Sequence, residues 1–127
     1  MRAEELMIGD LVIHGFGHNG KVTAIDTNTL TVYDKGFDDG DGHCEVTFAW
    51  NEINPISLTH EILAQNGLER ICTDYYDLDV YEENDGLWRV VYSNLECSGF
   101  DESVVVSSVH ELQHFLRHVG INKDIEL

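Results

Sequence analysis

The densest chemistry in the chain lies in His110-Glu111-Leu112-Gln113-His114, which matches the zinc-protease pattern H-E-x-x-H. On a helix, residues four apart share a face, so His110 and His114 can reach one metal while Glu111 polarises a bound water. That chemistry would be metal-assisted hydrolysis. It also requires a third protein ligand. The metzincin continuation places glycine at 117 and histidine at 120, where this chain has Arg117 and Gly120. Of the thirteen residues after His114, Glu126 is the one glutamate. With seven histidines and twelve glutamates available, shuffling this composition yields the pattern in roughly one sequence in thirty. The periodicity also argues against catalysis. Val109, Leu112, Phe115, Leu116 and Val119 form an apolar stripe that must face a core, which predicts His110, Glu111, His114 and His118 on the opposite, solvated or loop-covered side. Zinc hydrolysis, with Glu111 as base and His110 and His114 as ligands, is therefore the alternative reading, and no cofactor is expected.

Three other stretches invite a chemical reading. Gly15-Phe16-Gly17-His18-Asn19-Gly20 fits G-x-G-x-x-G, but a dinucleotide site needs those glycines to open a helix. The next residues, Lys21 to Asp26, alternate like a strand, so the glycines read as a hairpin loop. Asp38, Asp39 and Asp41 fall close together, yet they lack the closing glutamate and flanking helices of a calcium loop. His14, His18, His43 and Cys44 are metal-competent types, but their spacing matches no standard pair of zinc knuckles.

The elements that must position these groups follow from composition and periodicity. At 127 residues and 43% apolar content, the chain has material for one ordinary core. No apolar run approaches the ~20 residues of a membrane helix. The acidic start, MRAEELMIGDLV, is unlike a signal peptide, so a cytoplasmic location is expected. Cys44, Cys72 and Cys97 form no C-x-x-C pair and read as reduced thiols. Against 7 Lys and Arg stand 24 Asp and Glu, a formal charge of −17. Such a chain repels phosphate backbones and anionic membranes, so neither nucleic acid nor membrane is an expected direct partner. A basic protein is, and ordered carboxylates would also suit an acidic DNA-mimic inhibitor of a nucleic-acid enzyme.

Short alternating runs at Asp10–Ile13, Lys21–Asp26, Leu30–Tyr33 and Cys44–Trp50, separated by Gly and Asn turns, predict a small SH3-like β-barrel over residues 1–55. Pro55 marks a joint. In 56–127, Ser57 or Thr59 caps a short helix stopped by Asn66-Gly67. Asp85-Gly86 then joins two strands in a hairpin, Val104–Val106 forms a third strand, and Ser107 or Ser108 caps the final helix, with Glu111 placed to complete a capping box. The expected class is α+β, the two halves packed as one unit.

The motifs IGDLV, INPISLTHEILAQNGL and VHELQHFLRHVG occur in this order over nearly the whole chain. The arrangement resembles a large group of small proteins of unassigned activity encoded in gut Bacteroidetes genomes, phages and prophages. Ser57 stands where a second proline is usual in that group, and Leu68 where phenylalanine is usual. Relatives commonly carry Gln at the position of Glu111, which a metalloprotease could not tolerate. The resemblance thus implies that HELQH is a fold signature, and it carries over no catalytic residue. The resulting expectation is a non-enzymatic interaction module, a phage or prophage accessory factor acting on a host protein. Its candidate contact surface is Asp38, Asp39, Asp41, Asp74, Asp77, Asp79, Glu82 and Glu83.

Overall fold

Val12, Val22 and Val32, one from each of three successive strands, set one face of the first sheet. The computed structural model describes residues 6–15, 17–34, 45–96 and 100–127, with Phe100 described by its backbone alone. The chain divides into two compact units, Met1–Ile56 and Ser57–Leu127.

In the first unit, β1 (Leu11–Ile13), β2 (Asn19–Ile25), β3 (Thr29–Tyr33), β4 (Glu45–Ala49) and β5 (Asn54–Pro55) form an antiparallel sheet in the order β4-β3-β2-β1-β5. Val12, Val22, Leu30, Val32 and Phe48 are buried from the strands, joined by Leu6 and Ile53. Each such side chain contributes about 1.5–3 kcal/mol by leaving water. A bulge between Val22 and Ala24 absorbs one residue of β2.

The expected SH3-like barrel is not what forms. A barrel must hydrogen-bond its first strand to its last, whereas this sheet is open, with β4 at one edge and β5 at the other. The physical limit lies in β5. It is two residues long, pairs among the described residues only with β1 through Val12↔Pro55 and Ile13↔Asn54, and ends on a proline that has no N–H to donate.

In the second unit, β6 (Arg70–Cys72), β7 (Tyr76–Asn84), β8 (Leu87–Asn94) and β9 (Phe100–Val106) form an antiparallel sheet in chain order. Asp85-Gly86 turns β7 into β8, with Gly86 at φ +79. Leu78, Val80, Trp88, Val90, Tyr92 and Val106 are buried on one face, as the register Leu78↔Tyr92 and Val80↔Val90↔Val104 requires.

Two short helices complete the unit. In α1 (His60–Gln65), the Thr59 hydroxyl accepts from the Ile62 N–H at 3.2 Å. In α2 (Val109–His118), Ser108 is the N-cap. Leu68 N–H donates to the Leu63 carbonyl, and Ile121 N–H to that of Leu116, closing each helix around a left-handed glycine, Gly67 or Gly120. Segments before the two helices meet at the bridge Ser57↔Ser108, where Leu58 N–H donates to Ser107 at 3.2 Å. The chain is thus two open antiparallel sheets with few, short helices, which corrects the α+β barrel expectation. No helix among the described residues is long and apolar enough to cross a membrane.

Candidate functional site

The β1–β2 hairpin brings His14 and His18 opposite one another. His14 N–H donates to the His18 carbonyl at 3.0 Å, and Gly17, at φ +80, donates to the His14 carbonyl at 2.8 Å. In the pairing Val12↔Gly20, His14 lies two residues beyond Val12 and therefore on the same face, the buried one. One step past Lys21↔Tyr33, Asp34 extends β3 toward Gly20 on that same face. Gly20 is what lets the two meet. A Cβ there would lie 2.1 Å from Val32 Cγ1 and 3.2 Å from His14 Cδ2. With only a hydrogen on β2, the His14 ring crosses that strand from β1 toward β3.

The result is a three-residue cluster. His14 Nε2 lies 2.6 Å from Asp34 Oδ2, and His18 Nδ1 lies 3.2 Å from the same oxygen. His14 and Asp34 are buried, while the His18 side chain is 62% exposed. The His14 ring stacks on Phe48 of β4 at 4.9 Å and 13°. One potential ligand atom from each residue lies within 4.8 Å of the others, the one such His, Cys, Asp or Glu group among the described residues. Of the histidines and cysteine weighed together from sequence, His14 and His18 are joined, while His43 and Cys44 lie outside the described residues.

HELQH is placed differently from its sequence reading. His110 is not on a solvated side. It is buried, with Nδ1 3.1 Å from the Ser108 hydroxyl. It lies about 100° around the helix from Val109, on the flank of the stripe, beside buried Gln113. His114 is half-buried, its ring 5.7 Å from that of His110. Glu111 accepts hydrogen bonds from the Ser107 and Ser108 hydroxyls at 2.9 and 2.8 Å. Its carboxylate therefore gathers the two serine side chains at the start of the helix, and the reciprocal backbone bonds of a capping box do not form. Among the described residues no third ligand joins His110 and His114.

Comparison with family models, curated proteins and solved structures finds no match.

The acidic residues expected to form one surface are split. Asp38, Asp39 and Asp41 lie outside the described residues. Asp74 sits exposed in the turn before β7. Asp77 and Asp79 project from the open face of the second sheet, where Asp77↔Ser93↔Asp101 and Arg70↔Asp79↔Val91↔Ser103 form adjacent rows. Glu82, opposite Trp88, points to the buried side, where its carboxylate is 3.6 Å from His60 Nε2. Glu83, in the bulge, receives two bonds from Arg89 at 3.1 Å. Arg70 lies 3.5 Å from Asp79, and its pKa is raised, first by Cys72 and then by Asp79 and Asp77, so it remains a cation.

Two participants escaped the sequence reading. Asp34 carries no recognisable spacing from His14 or His18, because register alone joins them. Asp101 precedes the Val104–Val106 run and became visible as a partner of Asp77 only through the strand pairing.

Proposed function

We propose that the chain is a non-enzymatic interaction module that docks a basic partner on the open face of its second sheet. The observation that carries this reading is the Asp77–Ser93–Asp101 row, whose two carboxylates form no ion pair among the described residues. They stand two strand spacings apart, about 10 Å. Beyond the intervening Asp79–Val91–Ser103 row, Tyr81–Arg89–Val105 supplies a half-exposed aromatic ring, a guanidinium and an exposed valine. Tyr and Arg are the types that anchor interfaces, with carboxylates setting orientation and partner sign. Arg70 and Arg89 interrupt the acidic rows, which favours a basic protein partner over mimicry of a continuous phosphate ladder. The resemblance to phage and prophage proteins extends the proposal to a host protein as that partner.

The test is capture from the native host cell with immobilised protein, run in parallel with Asp77→Asn/Asp101→Asn and with Tyr81→Ala. A basic protein retained by the wild type, released as salt rises through about 0.15 M and lost by both variants, supports the reading. Retention that is indifferent to salt and to both variants overturns it.

A further inference from the structure

We propose that His14, His18 and Asp34 form a binding site for a divalent transition-metal ion such as zinc. The donors are two imidazole nitrogens and one carboxylate oxygen, the set that borderline divalent ions prefer over the all-oxygen shells of calcium and magnesium. The site lies in the first unit, Met1–Ile56, and its test does not involve the docking face of the second sheet.

Two of the three donor–donor distances, 2.6 and 3.2 Å, approach those around a bound ion, and the third is within 4.8 Å. Zinc–nitrogen and zinc–oxygen bonds run about 2.0–2.2 Å, so tetrahedral ligands stand about 3.3–3.5 Å apart. His18 Nδ1 and Asp34 Oδ2, 3.2 Å apart, already form such an edge. His14 Nε2 and the same oxygen, at 2.6 Å, are hydrogen-bonded. An incoming ion replaces that bond and takes His14 as the neutral Nδ1–H tautomer, the proton moving from Nε2 to Nδ1 by way of solvent, and the carboxylate swings by less than about 1 Å to open the second edge. Three protein donors leave a fourth position, which water fills from the exposed side of His18.

The surroundings hold the donors in place before metal arrives. Strand pairing fixes His14 across from His18, the Phe48 ring supports His14, and the bare Cα of Gly20 keeps the passage between β1 and β3 clear. Rigid placement of this kind lowers the ordering cost of binding. The formal charge of −17 adds a long-range attraction for cations.

The experiment titrates zinc into metal-free full-length protein against a chelating dye, with cobalt as a spectroscopic stand-in. The expected result is one zinc per chain bound more tightly than about 10 µM, and low-symmetry visible bands with cobalt. His18→Ala removes an exposed ligand, so the fold should persist, as checked by circular dichroism. Loss of an outer-shell partner weakens metal about 10–100-fold, and loss of a direct ligand should cost at least about 100-fold. Asp34→Asn should weaken zinc as well, while His114→Ala should bind like the wild type. Equal zinc affinity in wild type and His18→Ala overturns the assignment. So does zinc that binds through His114, or wild-type protein that takes none at 10 µM or tighter, about the same threshold.

Discussion

The Asn66 side chain clasps the backbone of Glu126 in both directions. Its Nδ2 donates to the Glu126 carbonyl at 2.8 Å, and its Oδ1 accepts from the Glu126 N–H at 2.7 Å. The same Nδ2 donates to the Ile62 carbonyl at 2.8 Å, which also accepts from the Asn66 backbone N–H at 3.2 Å. One amide thus ties the helix C-terminus to a segment sixty residues away. Ile121 and Ile125 are buried along that segment.

The first prediction follows from that clasp. Three hydrogen bonds at about 1 kcal/mol each, two of them to backbone that stays half-buried, make Asn66→Ala cost about 2–3 kcal/mol. Asn66→Asp keeps the shape but loses both donors, so it should cost at least as much. Urea unfolding measures the loss. Hydrogen exchange at the Glu126 amide should accelerate in both variants, and an unchanged rate there would show that the tail is held by its isoleucines alone.

A second prediction separates two glycines that sequence alone treats alike. Gly17 has φ +80 and open space where a Cβ would go, so Gly17→Ala meets only backbone strain, about 1 kcal/mol. Gly20 has ordinary backbone but no room, with Val32 Cγ1 at 2.1 Å and the Tyr33 carbonyl at 3.1 Å from the added carbon. Gly20→Ala should cost more, about 1–3 kcal/mol, and should shift the His14 ring resonances. Equal costs would mean that β2 slides freely to admit the methyl group.

For α2, the third prediction contrasts packing with capping. Leu112 is fully buried, and Leu112→Ala should cost about 2–5 kcal/mol in chemical denaturation. Glu111→Gln retains an oxygen that accepts from Ser107 and Ser108, so its cost should stay below about 1 kcal/mol. A hydrolytic activity abolished by Glu111→Gln with the fold intact would restore the metalloprotease reading of HELQH.

Signals confined to a few neighbouring residues were legible in the sequence. The Asp85-Gly86 turn, the Thr59 cap and the Gly67 and Gly120 stops each depend on local backbone chemistry and are found in place, while Ser108 takes the N-cap position without a side-chain bond to the helix backbone. Pairing between distant strands was not legible. Nothing in Asn54-Pro55 reveals that it adds to β1 and leaves the sheet open, and Arg70–Cys72 is too short and polar to announce a strand. His110 was misplaced because an apolar stripe is read from apolar letters. An imidazole with the Ser108 hydroxyl beside it can be buried on the flank of that stripe. Asp34 was missed for a different reason. It sits twenty residues from His14, and only the β1–β2–β3 register, with Gly20 between them, turns that separation into a contact.

The last prediction concerns the open face of the second sheet, where paired and unpaired charges should behave differently. Arg89 makes two bonds to Glu83 and a 3.4 Å contact to the Ser103 hydroxyl, yet both partners are partly exposed. A double-mutant cycle of Arg89→Ala with Glu83→Gln should therefore give a coupling below about 1 kcal/mol, shrinking as salt rises. Asp77 and Asp101 make no such pair among the described residues. Asp77→Asn/Asp101→Asn should leave the melting temperature equal or raised, because it removes negative charge from a chain already at −17. The gain should be largest at low salt and vanish near 1 M, where screening falls to about 3 Å. A melting temperature lowered by the double substitution at every salt concentration would mean that these carboxylates stabilise the sheet itself. The row would then be structural, and the docking face would have to be moved off it.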